Sequence, residues 1–244
     1  MTSTVPGPAD ATGWAGYFDA YAPTYDASAF GGAGLATLSD RDLRGVRDAL
    51  AGVKPGRVLD AGAGTGRVTA SLISSGWSVV ALDASTEMLN QLRHAHPEVE
   101  TVEARLGTRL PFADATFDAV VAMRVLKYVD DMDYALGELA RVVRPGGHVV
   151  VEFANRRSCA RFGYGTAPIH LVTLREVDRG IRAAGLTALS HRAGPRLPQP
   201  VWARARTASA SRLASTCDRA VAMILGGHRS NLGARSVLVS ATRR

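Results

Sequence analysis

Two hydrophobic rhythms take turns along this chain. Short apolar runs with the length and β-branched content of buried strands end at Val58-Leu59 and then span Trp77–Leu82, Val99–Val102, Thr116–Ala122, His148–Phe153, Leu186–Ser190 and Ser236–Ser240. Between them, apolar positions recur every three or four residues, the spacing of one helix face. Such stretches carry Trp14, Tyr17, Phe18, Tyr21 and Tyr25; Leu43, Val46 and Leu50; Val68 and Leu72; Met88, Leu89 and Leu92. Further on they comprise Tyr134–Val143, the group Val177, Ile181 and Ala184, and a long segment from Ala203 to Leu225. Ser39 with Asp42, Ser85, and Thr173 with Glu176 are helix-opening signals, and Pro55-Gly56, Pro97, Pro145-Gly146-Gly147 and Gly185 are stops. Seven strands alternating with helices predict an α/β fold, a mostly parallel, doubly wound sheet with a helical N-terminal lid. Residues 1–12, rich in Pro, Gly, Ser, Thr and Asp, are expected to be disordered. Residues 13–244 then form one domain: a lid over 13–52, a core over 53–154, and closing elements over 155–244.

The most informative stretch is residues 57–69, where a strand ends in Asp60-Ala61 and a helix begins near Val68. Gly62, Gly64 and Gly66 lie between, so the backbone of the turn can approach a ligand without side-chain obstruction. The following helix points unpaired N–H groups at the same place. No Gly-Lys-Ser or Gly-Lys-Thr is present, and Arg67 stands where the third glycine of a dinucleotide fingerprint would fall. Asp83 closes the second strand, 21 residues after Gly62, where a carboxylate can accept both hydroxyls of a ribose. Together these features point to a nucleoside ligand at the carboxyl edge of the sheet.

Composition narrows the partners. The 244 residues are 46% hydrophobic, ample for one core, and no apolar run is long enough to span a membrane. Residues 1–40 hold no Lys or Arg, which fits neither a signal nor a transit peptide, so a soluble cytoplasmic protein is expected. Cys159 and Cys217 lie in unlike contexts and are expected to be free thiols; no Cys/His spacing suggests a metal. The net charge of +7 is uneven: residues 191–244 hold ten Arg against Asp218 alone, and 27 of the 29 basic residues are Arg. Trp202 is the single aromatic residue of that basic tail, so bases would find little to stack on. No nucleic-acid or membrane partner is expected.

Four segments in order, Val58–Gly66, Leu82–Leu89, Leu110–Val120 and Arg141–Gly147, resemble the successive motifs of class I S-adenosylmethionine-dependent methyltransferases. They are most similar to the small-molecule branch that includes ubiquinone- and natural-product-type enzymes, and the likeness covers roughly residues 14–190. The resemblance implies a Rossmann-like seven-stranded sheet and S-adenosyl-L-methionine as cofactor. It further implies that Asp60, Ala61, Gly62, Ala63 and Gly64 lie at the cofactor's methionine part, that Asp83 holds the ribose, and that Ala84 and Met88 flank the adenine. Arg105 and Leu106 align with the family's adenine segment, Arg124 with a residue that touches the cofactor and lines the acceptor cavity, and Tyr25 with an aromatic that closes over the methionine end. The implied reaction is methyl transfer to an O, N or C atom of a small metabolite; a homodimer is compatible with it.

The sequence departs from the family pattern twice. Leu106 replaces an acid that often holds the adenine amino group, and Lys127-Tyr128 stands where a His pair or His-Val is common. The acceptor side is expected from Tyr17 in the lid and from Asn155 to Thr173, including Asn155, Arg156, Arg157, Phe162 and Tyr164. Within that stretch His170 is the side chain able to take a proton at neutral pH, with Tyr128 and Tyr25 as rival polar groups. Two other functions remain open from residues alone: a descendant that keeps the cofactor without methylating, which the Leu106 change favours, and a nucleic-acid methyltransferase, which the basic tail favours.

Overall fold

The computed structural model describes residues 13–158, 169–225 and 232–244. The chain opens with two helices, α1 (Trp14–Phe30) and α2 (Ala33–Ala49), and then alternates as β1 (Arg57–Ala61), α3 (Arg67–Ser74), β2 (Ser78–Asp83), α4 (Thr86–Ala95), β3 (Glu100–Glu103) and β4 (Phe117–Ala122). A short 3-10 turn at Leu126–Tyr128 leads to α5 (Met132–Val142) and β5 (Val143–Ala154). The remainder is α6 (Leu174–Ala183), β6 (Leu186–Ala193), α7 (Gln199–Arg204), α8 (Ala208–Ile224) and β7 (Ser236–Arg243).

The seven strands form one sheet in the order β3-β2-β1-β4-β5-β7-β6. Strands β1 to β5 run parallel, and β7 is inserted antiparallel between β5 and β6. The chain moves outward from β1 through β2 to β3 and then returns to β4 on the other side of β1. Neighbouring crossovers therefore part above the carboxyl ends of β1 and β4, which is where doubly wound sheets open a ligand crevice. Alternate residues of the central strands fill two cores. Leu59, Val120, Val149 and Val151 pack on the face covered by α5 and α6, while Val58, Val121 and Val150 pack with Val46, Leu50, Val68 and Leu72 on the other.

The expected strand positions are met, and the helix signals at Ser85 and Thr173 act as read. Ser85 Oγ accepts from Met88 N at 3.1 Å, and Thr173 and Glu176 form a reciprocal capping box. Two expectations are corrected. The second helix begins at Ala33, not Ser39, because Gly32 takes a left-handed φ of +81° and lets the chain turn directly from one helix into the next. Ser39 is thus inside α2, where its oxygens accept from Arg67. The single long helix expected from Ala203 to Leu225 is two helices. The Ala205 carbonyl is taken by Gly34 N at 2.8 Å, and Thr207 caps a new helix by accepting from Ala210 N. The expected tail at residues 1–12 and Cys159 lie outside the described residues; Cys217 is a free, exposed thiol. Among the described residues no helix is long and apolar enough to cross a membrane, and no group of three or more His, Cys, Asp or Glu could hold a metal ion.

Candidate active site

Strand β1 carries the chain to the crevice and the glycine turn reverses it into α3. Gly62 N and Ala63 N both donate to the Leu82 carbonyl at 2.7 and 3.0 Å, which sews the turn to the end of β2. Gly62 has φ +79°, and a Cβ there would meet the Val125 side chain at 2.5 Å, so both backbone and space demand glycine. Gly64 has φ +55°, but a Cβ there would meet nothing within 4 Å. Its open side faces the pocket.

Asp83 is fixed before any ligand arrives. Gly64 N donates to its Oδ2 at 2.8 Å and Ser85 N to its Oδ1 at 2.9 Å. Burial pushes its carboxyl above the usual range, and these N–H groups partly offset that. Asp60 lies one layer lower: it is 1% exposed, accepts from Thr69 Oγ1 at 2.7 Å, and burial raises its carboxyl to about 6. It braces the turn from beneath and does not line the pocket.

The pocket holds about 780 Å³ of empty space between the sheet edge and α1. Its walls bring together Tyr25, Gly62, Gly64, Asp83, Ala84, Met88, Arg105, Leu106, Arg124 and Tyr128, ten of the positions expected from sequence. Ala61 and Ala63 are buried in and behind the turn. Trp14 and Phe18, legible in the sequence only as lid residues, also form wall, as do Met123 and Val125, which carried no sequence signal. The Trp14 indole N–H is buried without a partner.

Helix α1 is pinned across the opening at two points. Asp19 Oδ1 accepts from Ser85 Oγ at 2.6 Å and Glu87 N at 3.1 Å, and Asp26 Oδ1 accepts from Thr65 Oγ1 at 2.7 Å. Behind the pins runs an aromatic row in which Tyr128 meets Trp14 at 4.4 Å and Phe18 at 5.2 Å between ring centroids. Burial raises the Tyr128 phenol to about 12. Arg124 takes φ +61°, a left-handed conformation rare outside glycine that costs about 1–3 kcal/mol and concentrates at functional sites. Its guanidinium lies over the Phe30 ring at 5.5 Å, and nearby Tyr25, Asp42 and Glu152 favour its charged form against burial.

The residues expected on the acceptor side are placed differently. Tyr17 packs edge-on against Trp14 and Phe18 and does not line the pocket. Asn155 is buried, with Nδ2 donating to Ala234 O and Oδ1 accepting from Arg157 N, so it shapes its own loop. Arg156 holds the Leu171 carbonyl and Glu176. His170 is exposed, and its backbone N–H donates to Lys127 O at 2.7 Å. Phe162 and Tyr164 lie outside the described residues.

A family model described as a methyltransferase domain matches residues 59–151. A demethylmenaquinone methyltransferase of Beutenbergia cavernae is 46% identical over 109 residues, 44% of this chain and 45% of the relative. Another, of Renibacterium salmoninarum, is 39% identical over 144 residues, 58% of this chain and 59% of the relative. The chain thus spans about half the length of the curated relatives it matches. Among solved structures, the 4+2 cyclase SpnF superposes with a TM-score of 0.70 at 19% identity, covering 99% of both chains, a likeness of fold alone.

Proposed function

We propose that this chain, whose residues 59–151 match a methyltransferase-domain model, is a class I S-adenosylmethionine-dependent methyltransferase that methylates an O, N or C nucleophile of a small metabolite in a biosynthetic route. The observation that carries the reading is Asp83, held by two backbone N–H groups at the wall of a glycine-floored pocket at the sheet's switch point. The residues present fit the cofactor. Gly64 leaves backbone open beside the pocket, Asp83 offers a fixed acceptor for a ribose, and Ala84, Met88 and Leu106 supply an apolar slot for adenine.

When bound, S-adenosylmethionine supplies an electrophilic methyl group on a sulfonium. The protein's task is then alignment and exclusion of water, and fixing two reactants in line can supply roughly 7–11 kcal/mol of a barrier. The pinned lid with Trp14, Phe18 and Tyr25 serves exclusion. Tyr128, its phenol raised to about 12, stays protonated at neutral pH and can orient an acceptor as a hydrogen-bond donor rather than remove its proton. A small-molecule acceptor also suits the basic tail. Arg192 pairs with Asp48, Arg243 donates to the Arg141 and Val143 carbonyls, and Arg244 to Thr187, so these arginines serve the fold.

Calorimetry with S-adenosylmethionine and its demethylated product is expected to give micromolar binding. Replacing Asp83 by Ala should cost about 1.5–3 kcal/mol, roughly 10- to 100-fold in affinity. Unchanged affinity would remove the site. Methyl-labelled cofactor offered with demethylmenaquinone and with fractionated small metabolites then identifies the acceptor. Tight cofactor binding with no label transferred to any fraction would favour a non-methylating role instead.

A further inference from the structure

Strand β5 contains a residue that its own pattern does not explain. Val149, Val151 and Phe153 point into one core, and Val150 points into the other with Met123 and Leu238. Glu152 follows on this second face, where alternation calls for an apolar side chain. Its Oε2 is buried and has no hydrogen-bond partner. A buried carboxylate oxygen without a partner is costly, and such groups in folded proteins call for a specific cause.

Three small hollows all include Glu152 in their walls. They adjoin the cofactor pocket through shared walls, Met123 for the first and Arg124 for the other two. Arg235, from the segment leading into β7, stands opposite Glu152 in both hollows bounded by Arg124. The charges do not cancel. Asp42 is matched by Arg67 at 3.8 Å, whereas Arg124 and Arg235 have no side-chain ion pair among the described residues. Arg124 and Arg235 in both hollows, with Lys127 in the wall of one, face the single carboxylate of Glu152, so positive charge is in excess. The rest of the wall of the hollow that Leu35 lines is mixed, with Leu35, Leu38 and Pro195 apolar and Asp42, Gln199 and Ser236 polar.

We propose that these hollows receive the polar end of the acceptor, and that they select a small organic acid whose apolar body lies in the adjoining pocket. Its anionic oxygen lies between Arg124 and Arg235, and a neighbouring O–H or N–H donates to Glu152. The inference rests on the methyl-transfer reading and adds to it the charge of the acceptor. Charge-assisted hydrogen bonds from a buried guanidinium are the strong kind, and their loss leaves a charge unmatched in low dielectric.

The test uses the full chain saturated with S-adenosylhomocysteine and three probes of nearly equal shape: 2-hydroxybenzoate, 2-hydroxybenzamide and 2-hydroxybenzylamine. The anion should bind at least about tenfold more tightly than the amide, and the cation should not bind measurably. Arg235→Gln should bring the anion down to the amide's affinity, Arg235→Lys should keep much of the preference, and both should leave S-adenosylhomocysteine affinity within about twofold. Glu152→Met, which removes the acceptor oxygens at similar volume, should erase the advantage of 2-hydroxybenzoate over plain benzoate. Equal binding of anion and amide to the parent protein, or a preference that survives Arg235→Gln, overturns the subsite and makes the cluster a solvated structural one. That result with S-adenosylhomocysteine still bound leaves the methyl-transfer reading standing; failure of S-adenosylhomocysteine to bind at all removes both.

Discussion

The two halves of the crevice are built in opposite ways. On the cofactor side, the key groups come from two short runs, Asp60–Gly64 and Asp83–Met88, and backbone N–H groups fix them. On the side of the proposed acceptor subsite, Asp42, Arg124, Glu152 and Arg235 come from four distant parts of the chain, and longer-range fields link them more than direct bonds do. A ligand common to a whole family is met by geometry stored in the backbone. A ligand particular to one protein is met by side chains that the fold gathers.

The largest effect should separate floor from space. Gly62→Ala forces a Cβ to within 2.5 Å of Val125 at φ +79°, whereas Gly64→Ala, at φ +55°, places it in open pocket. Both changes strain the backbone by about 1–2 kcal/mol. Gly62→Ala should add the displacement of Val125, lowering stability by about 3 kcal/mol or more and taking cofactor binding with it. Gly64→Ala should leave a folded protein whose methyl group obstructs the cofactor, with affinity down about tenfold or more. Chemical denaturation beside calorimetry checks this; equal stability loss in both variants would mean the turn is not shaped by Val125.

This contrast also accounts for what the sequence could tell. The strand positions and the glycine turn follow from local periodicity and from residues adjacent in the chain, so residues 57–66 and 82–88 were readable without a structure. The boundary at Ser39 was misplaced because Gly31-Gly32 turns the chain between two helices without a gap long enough to register as a loop. The break at Thr207 depends on the Ala205 carbonyl bonding to Gly34, a contact spanning most of the chain, and no local pattern records it. Glu152 did leave a trace, a charge at the apolar phase of a buried strand, but its meaning required Arg124 and Arg235 beside it. The stretch Asn155–Thr173 was expected at the acceptor from its place after the fifth strand; its described polar side chains Asn155 and Arg156 instead bind the Ala234 and Leu171 carbonyls.

A second effect sharpens the comparison through pH. Burial raises the Asp60 carboxyl to about 6, against about 3.9 for a free Asp side chain. The folded state therefore holds the proton more tightly than the unfolded chain does. The resulting stability is fully present below about pH 3.9 and is lost as pH rises through about 6, on the order of 3 kcal/mol across that window. Asp60→Asn keeps an oxygen to accept from Thr69 and has no proton to lose. Its melting temperature should fall less than the parent's between pH 4 and pH 7. The slope should not vanish, because burial also raises Asp42 and Asp83. Parallel melting curves for parent and variant would show that Asp60 is ionised without penalty and is no neutral brace beneath the turn.

The smallest effect concerns the one place where the cofactor side departs from the methyltransferase pattern it resembles. Leu106 lines the pocket and packs against the main core, and it offers no acceptor to an adenine amino group. The nearest acid in sequence, Glu103, is engaged with Thr86 Oγ1 at 2.8 Å and is exposed. Adenine should then be held by contact with Met88 and Ala84 and by main chain. Leu106→Asp would restore a side-chain acceptor at the cost of burying part of a carboxylate. The net gain should be about 0.5–1.5 kcal/mol, a tightening of roughly two- to tenfold for S-adenosylmethionine. Because Leu106 lines none of the Glu152 hollows, the affinity for 2-hydroxybenzoate should not move. Calorimetry with both ligands on the one variant tests the two halves together. Tightening of the cofactor alone confirms that they are independent, a weakening of the cofactor means that apolar contact at Leu106 already suffices, and a change in the organic acid's affinity means that the halves are coupled.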